Sequence, residues 1–335
     1  MDYTERGSIM AKLKVGILGA GRIAATMADT LFKMREAECW GVASRSLKKA
    51  QAFALEHGVS HAYASYEDML KDPEIDLVYV ATPHNFHHDH GKMCIAYGKP
   101  VLMEKPFCVN EKEAKDLLAY AKKHDVFITE AIWVRYMPMV ATISDILKKG
   151  LIGEPRYLTA NLSYAITDKE RLVSPELAGG ALLDVGVYAI NFAYMFFGYE
   201  DILDISATAV RTKLGVDSAD SITITYKDGR MAQLAASMEC VSDRMGCIHG
   251  TGGYLVVENI NDFQSVTVYD NEYRKVLRKK CPRQISGYEY EVKAARSALK
   301  WRKSECKEMP HKETLRIMRV MDQIRRQIGV KYPFE

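Results

Sequence analysis

Three side chains in this sequence have the types and spacing for proton chemistry: Lys105, Asp184 and Tyr188. Lys105 sits between an apolar run at 101–103 and Pro106, where an ammonium held at a strand end can stabilise an oxyanion and lower the pKa of a neighbouring group. Asp184 and Tyr188 lie four apart in the stretch Gly179-Gly180-Ala181-Leu182-Leu183-Asp184-Val185-Gly186-Val187-Tyr188, so a helix would put both on one face. A phenol beside Lys105 could ionise at neutral pH and take the proton of a substrate hydroxyl, with Asp184 orienting the substrate or tuning the base. Each residue also has a plain reading, Lys105 as a solvated loop lysine and Tyr188 as a packed aromatic with a satisfied hydroxyl.

A hydroxyl that loses a proton needs an acceptor for the accompanying hydride, and the N-terminal region supplies a place for one. In Val15-Gly16-Ile17-Leu18-Gly19-Ala20-Gly21-Arg22-Ile23-Ala24 an apolar strand runs into a glycine turn and a helix, the pattern of a dinucleotide site. Gly19 can make the tight turn and Gly21 leaves room for a pyrophosphate. The following helix offers its unpaired N–H groups to that charge, with Arg22 and Ile23 counted among the cofactor contacts. Ala24 stands where a third glycine is common. The next apolar run ends in Ser44-Arg45-Ser46, with no carboxylate for a ribose diol. A guanidinium flanked by hydroxyls suits the 2′-phosphate of NADP, so NADP is preferred and NAD is possible. The competing reading has Ser44 capping a helix whose Arg45, Lys48 and Lys49 are solvated.

Further candidates lie in loops that follow later strands. Thr82, Pro83, His84 and Asn85 form one turn, shaped in part by His87, and Glu104 with Lys105 forms another; both are expected at the cofactor edge. Trp133 and Arg135, in the stretch from Glu130 to Pro138, can wall a pocket or contact the cofactor, or can pack a hinge. His84, His87, His88 and His90 raise a metal site, but Asp89 is the only nearby acid, so no metal is expected. Hydrolysis by a Ser-His-Asp set is disfavoured because Ser44 lacks a nucleophile-elbow sequence.

The elements that must position these residues follow from periodicity. Strand patterns at 13–18, 39–43, 77–81, 101–103 and 127–129 alternate with helical patterns at 24–34, 47–57, 87–97 and 111–124. That is a doubly wound, parallel Rossmann sheet, assigned to residues 11–132. After Pro138 the pattern changes to an apolar helix at 182–197 and strands at 156–164, 205–211, 221–226, 231–238, 245–250, 253–258 and 265–269. Residues 133–335 therefore read as an α+β substrate and oligomerisation domain with a large, mostly antiparallel, open-faced sheet. Helices at 288–302 and 312–328 would brace the two domains. One sheet face needs a cover, which predicts a homodimer through the C-terminal sheet, with a tetramer as the alternative.

Composition narrows the function class. The chain has 335 residues, 48% of them apolar, and 46 basic against 43 acidic residues give a net charge of +3. The charges are mixed, and the basic stretch 274–283 reads as a solvated hairpin or loop, so no nucleic-acid partner is expected. Seven cysteines without paired spacing suit a reducing compartment. The first ten residues lack the apolar core of a secretory signal, and no later run reads as long and clean enough to span a bilayer, which predicts a cytoplasmic protein with no membrane partner.

On the glycine loop, Ser44-Arg45, Glu104-Lys105-Pro106, and Asp184 with Gly186, the chain resembles the glucose–fructose oxidoreductase, inositol dehydrogenase and MocA family over nearly its whole length. Tyr188, where many members carry histidine, and the stretch 133–138 are similar to the branch of dimeric dihydrodiol dehydrogenases and NADP-dependent D-xylose dehydrogenases. The resemblance implies that Lys105 and Tyr188 form the catalytic pair, with Asp184 and Trp133 in the pocket of a sugar or cyclic diol. It implies a C-terminal sheet used for dimerisation. The alternative is an NADP-responsive binding or regulatory protein that keeps the fold without turnover.

Overall fold

The computed structural model describes residues 12–335; the reading of the first ten residues and the domain start at residue 11 lie outside them. Near-continuous apolar runs give the first sheet its buried, parallel character. Its strands are β1 (Leu13–Leu18), β2 (Ala37–Ala43), β3 (His61–Tyr63), β4 (Leu77–Val80), β5 (Val101–Glu104) and β6 (Ile128–Ala131), in the order β3-β2-β1-β4-β5-β6. Val15, Ile17, Leu77, Val80 and Leu102 have no exposed surface. Helices α1 (Arg22–Lys33), α2 (Leu47–His57), α3 (Tyr66–Leu70), α4 (His87–Ala96) and α5 (Glu111–Lys123) connect the strands. The order reverses at β1 and β4, which opens a crevice at the strand C-termini. Strand β3 and helix α3 were not expected from the sequence, being too short to show a period. They are held by Asp72, which accepts from Tyr63 Oη and from Trp40 Nε1 at 2.9 Å.

The second half contains α6 (Pro138–Lys148), β7 (Pro155–Ser163), α7 (Glu170–Val173) and α8 (Val187–Phe197), followed by β8 (Ile202–Arg211), β9 (Asp217–Tyr226) and β10 (Met231–Ser237). It continues with β11 (Gly246–Gly250), β12 (Gly253–Glu258), β13 (Ser265–Asp270), β14 (Lys275–Lys280), α9 (Glu289–Lys300) and α10 (His311–Ile328). The eight strands run β14-β13-β12-β11-β7-β10-β9-β8, antiparallel throughout except for β7 with β10. The basic stretch 274–283 supplies β14, an exposed edge whose lysines and arginine discourage further strand pairing.

Two expectations need correction. The apolar stretch 182–197 is not one regular helix: Leu182–Gly186 forms a wider π-type turn before α8 begins. The Asp217 carboxylate holds the Leu182 N–H at 2.5 Å there, and such turns widen a helix where side chains must converge. Second, Pro175–Phe197 is long and apolar enough to cross a bilayer, with mean hydropathy 1.4, whereas no such run was expected. Its most apolar stretch is 89% buried inside the protein, so its composition is explained by core packing.

Helix α10 ties the halves together. Its Asp322 accepts from the Glu111 N–H at 2.9 Å, its Arg319 donates to the Glu111 carboxylate at 2.9 Å, and its Gln327 bonds the backbone of Ile205 and Ala207 in β8, each at 2.7 Å. The long helix thus fixes the angle between the sheets and the width of the cleft between them.

Candidate active site

A cleft of about 520 Å³ opens at the C-terminal ends of β1, β2, β4 and β5 and is closed on its far side by α7, the π-type turn and α8. Thirteen of the residues singled out in the sequence line it: Gly19, Gly21, Arg22, Ile23, Ser44, Arg45, Thr82, Pro83, His84, Glu104, Lys105, Asp184 and Tyr188. They come from five separate chain segments: the parallel strands β1, β2, β4 and β5 deliver four of them to one edge, and the second half of the chain supplies the fifth.

At one end the backbone is shaped for an anionic ligand. Gly19 has φ +108°, and a Cβ there would lie 2.7 Å from the Ala81 carbonyl oxygen, so only glycine fits. A Cβ on Gly21 would meet nothing within 4 Å. Its lack of a side chain therefore serves the open cleft rather than packing. Gly21 also caps α1 without a side-chain acceptor, leaving first-turn N–H groups for a ligand. Ser44, Arg45 and Lys49 line the same end. Ser46, not Ser44, caps α2 by accepting from the Lys49 N–H at 3.4 Å, while Ser44 lines the cleft and accepts from the Ser46 N–H at 3.5 Å.

The other end gathers Lys105, Asp184 and Tyr188. Lys105 Nζ donates to the Asp184 carbonyl oxygen at 2.6 Å and approaches its carboxylate at 3.3 Å. The same ammonium lies 5.1 Å from the Tyr188 ring centroid. Arg171 donates to Asp184 Oδ1 at 3.0 Å. Burial alone would raise the Asp184 carboxyl, but Lys105 and Arg171 outweigh it and hold the group below the usual carboxylate range. His84 lies 3.9 Å from the same oxygen, and burial drives its pKa down to about 3, so the imidazole is neutral.

Tyr188 departs from the expected phenolate. Burial, reinforced by Tyr288 and Glu104, pushes its phenol well above the ordinary value, so Lys105 does not ionise it in this arrangement. The Trp133 indole N–H donates to Tyr188 Oη at 3.2 Å. Because indole only donates, the phenolic hydrogen must point elsewhere, and no described residue accepts it. Tyr188 therefore keeps its hydrogen at the cleft wall. Behind Lys105, burial raises Glu104 to about 7, although it accepts from Tyr79 Oη and from the Lys105 N–H at 3.1 Å.

Four singled-out residues do not line the cleft. His87 is buried, bridging the carbonyl oxygens of Pro106 at 2.8 Å and Thr82 at 2.9 Å, and so fixes both loops from behind. Asn85 turns its Oδ1 into the protein, where no described group bonds it. Arg135 donates to Asn191 at 2.6 Å and approaches Glu313 at 3.5 Å, away from any ligand. Trp133 stacks on Tyr288, with ring centroids 4.5 Å apart and planes at 10°, and it is Tyr288 that faces the cleft. Tyr288, Tyr164, Lys169, Arg171 and Asn261 also line it, although nothing in the sequence singles them out. Arg171 lies in the short helix α7 and the others on connecting segments, none within a motif, and only the closure of the second domain over the first brings them there. Among the described residues no group of three or more His, Cys, Asp or Glu side chains could hold a metal ion.

Comparison with known proteins places this geometry in a family. Residues 13–131 match the oxidoreductase family with an NAD-binding Rossmann fold, and residues 140–256 match the GFO/IDH/MocA C-terminal domain. The chain is 32% identical over 327 residues to a trans-1,2-dihydrobenzene-1,2-diol dehydrogenase of Xenopus tropicalis, covering 96% of this chain and 99% of the relative. The corresponding enzyme of Sus scrofa is 31% identical over 329 residues, covering 96% and 98%. The fold matches that of KijD10, a 3-ketoreductase from Actinomadura kijaniata solved with NADP and TDP-benzene, with TM-score 0.85, 24% identity and 95% and 98% coverage. It also matches an aldose-aldose oxidoreductase from Caulobacter crescentus, with TM-score 0.85, 19% identity and the same coverage. Glycine turn, lysine loop and open-faced sheet thus occur here in the setting of matched relatives, and the chain belongs to the Gfo/Idh/MocA family of NAD(P)-dependent oxidoreductases.

Proposed function

We propose that this protein uses NADP in preference to NAD to interconvert the CH–OH and C=O forms of a sugar or cyclic diol, with Tyr188 handling the hydroxyl proton. The observation that carries the reading is the placement of Lys105, Asp184 and the free Tyr188 hydroxyl at one end of a cleft whose other end is the Gly19–Gly21 turn. The residues fit a dinucleotide: the space beside Gly21 is open, and Arg45 stands where a 2′-phosphate needs a cation. When bound, the nicotinamide supplies or accepts the hydride at the substrate carbon. In reduction the Tyr188 hydroxyl gives its proton to the carbonyl oxygen as that carbon gains hydride; in oxidation the same oxygen takes the proton back. Lys105, anchored by Asp184, stabilises negative charge on the substrate oxygen.

The relatives named dihydrodiol dehydrogenases and the NADP-bound ketoreductase support the substrate class and the cofactor. The test is the absorbance of reduced nicotinamide on mixing the protein with NADP or NAD and, separately, D-xylose, D-glucose, myo-inositol or trans-dihydrobenzenediol. The expected result is reduction with at least one of them, faster with NADP. Lys105→Met should then lower kcat by about a hundredfold or more while leaving NADP affinity within a few-fold. Tight NADP binding with no turnover of any partner in either direction would favour the noncatalytic alternative.

We infer further that two copies pair through the outer face of the eight-stranded sheet. Tyr157, His249, Tyr254 and Tyr269 are directly opposed in register across β7, β11, β12 and β13, and their rings form a continuous ladder on that face. Such a stripe suits burial against an identical stripe.

A further inference from the structure

The catalytic end of the cleft carries more positive charge than its acids neutralise. Asp184 is shared by Lys105 and Arg171, one carboxylate against two cations. Lys169, two residues before Arg171 in the same wall, is half-buried, lines the cleft and has no hydrogen-bond or ion-pair partner for its side chain among the described residues. Arg244 extends the wall from behind, with its guanidinium 5.7 Å from the Tyr164 ring and 3.5 Å from the Tyr164 hydroxyl, and it too lacks a carboxylate partner. The remaining lining acid, Glu104, is engaged by Tyr79 and by the Lys105 N–H. Asp168 and Glu170, next to Lys169 in sequence, are exposed and pair with none of these cations.

A neutral diol or sugar can accept hydrogen bonds from such a wall but brings it no counter-charge, whereas an anion would pair with its ammonium and guanidinium through charge-assisted bonds. The cofactor's phosphates already have their place at the opposite end, at Gly19, Gly21 and Arg45. We propose that Lys169 and Arg171, backed by Arg244, form an anion subsite, and that the substrate carries a carboxylate or phosphate which docks there and points its reacting carbon at Lys105 and Tyr188. The proposal rests on the oxidoreductase reading above and narrows it to acidic substrates.

The experiment titrates the full-length protein loaded with NADPH, following the cofactor's fluorescence, with D-glucose, D-glucuronate and D-glucose 6-phosphate. At least one acid should bind about tenfold tighter than glucose, with the advantage shrinking as salt is raised, and the tighter acid identifies the anion as carboxylate or phosphate. Lys169→Met should remove most of that advantage, Lys169→Arg should keep it, and NADPH affinity should be unchanged in both. Equal or undetectable binding of all three ligands would overturn the proposal, as would an anion advantage that survives Lys169→Met. A loss of NADPH affinity in Lys169→Met would also overturn it, by assigning the cation to the cofactor. Failure of the unmodified protein to bind NADPH is a separate result that would instead remove the oxidoreductase reading.

Discussion

At Tyr188 a hydrogen bond and burial together fix where the phenolic proton sits. With the Trp133 N–H filling an acceptor site on its oxygen and burial raising its phenol, Tyr188 holds its proton at neutral pH and presents it to the cleft. Carbonyl reduction should therefore run at neutral pH, while alcohol oxidation should quicken as pH rises towards the phenol's raised pKa; steady-state pH profiles in both directions check this. Tyr188→Phe should lower kcat in both directions by about 10²-fold or more and abolish the alkaline rise. A second prediction concerns Glu291, fully buried with neither oxygen bonded and pushed well above the ordinary carboxyl range by burial and by Glu104. A raised folded pKa means that the folded state keeps a proton which the unfolded chain releases. Stability is then full below the ordinary glutamate value and falls by about 1.4 kcal/mol per pH unit between that value and the folded one. Glu291→Gln should flatten the loss, which thermal melts at about pH 5 and about pH 8 would reveal as a smaller drop than in the unmodified protein.

Among the elements, the junctions around the cleft matter more than the regular strands. The π-type turn at Leu182–Gly186 places Asp184 against Lys105, and α8 then carries Tyr188 to the same end. The loop before α9 supplies Tyr288 by closing over Trp133 at Gly287, where φ is +97° and a Cβ would sit 2.4 Å from the indole. Gly287→Ala should therefore destabilise the protein by on the order of 2 kcal/mol and shift Tyr288 from the cleft wall. Its signature would be a substrate KM raised several-fold more than the NADP dissociation constant, with denaturation melts giving the stability change.

At the scale of the whole molecule, the cleft is the seam between a sheet that holds the nucleotide end and a second unit that carries Asp184, Arg171 and Tyr188. Helix α10 sets its width by bonding both α5 and β8. The open face of the larger sheet is the remaining demand for a partner. If two copies pair there, replacing Tyr254 by glutamate puts a charge into the aromatic ladder, and sedimentation or light scattering should show a dimer becoming a monomer. A dimer that persists in Tyr254→Glu would place the contact elsewhere.

The sequence by itself determined the parallel sheet and its glycine turn, because buried strands and tight turns are written in local composition and spacing: apolar runs such as 13–18 and 77–81 and the pair Gly19 and Gly21 have few other uses. It also determined that Lys105, Asp184 and Tyr188 were the groups to watch, since a cation at a strand end and an acid–phenol pair at helical spacing carry their own chemistry. Tertiary structure alone decided which neighbours they meet. Trp133 and Arg135 suit either a pocket wall or a packed hinge by type, and the fold has one stack on Tyr288 and the other turn to Asn191 and Glu313. Tyr288, Lys169 and Arg171 carry no motif and enter only when the second domain closes over the first. The protonation of Tyr188 belongs to that same closure. A phenol's pKa depends on desolvation and on charges within a few ångströms, quantities set by groups distant in the chain, and here they outweigh the lysine that the sequence placed beside it.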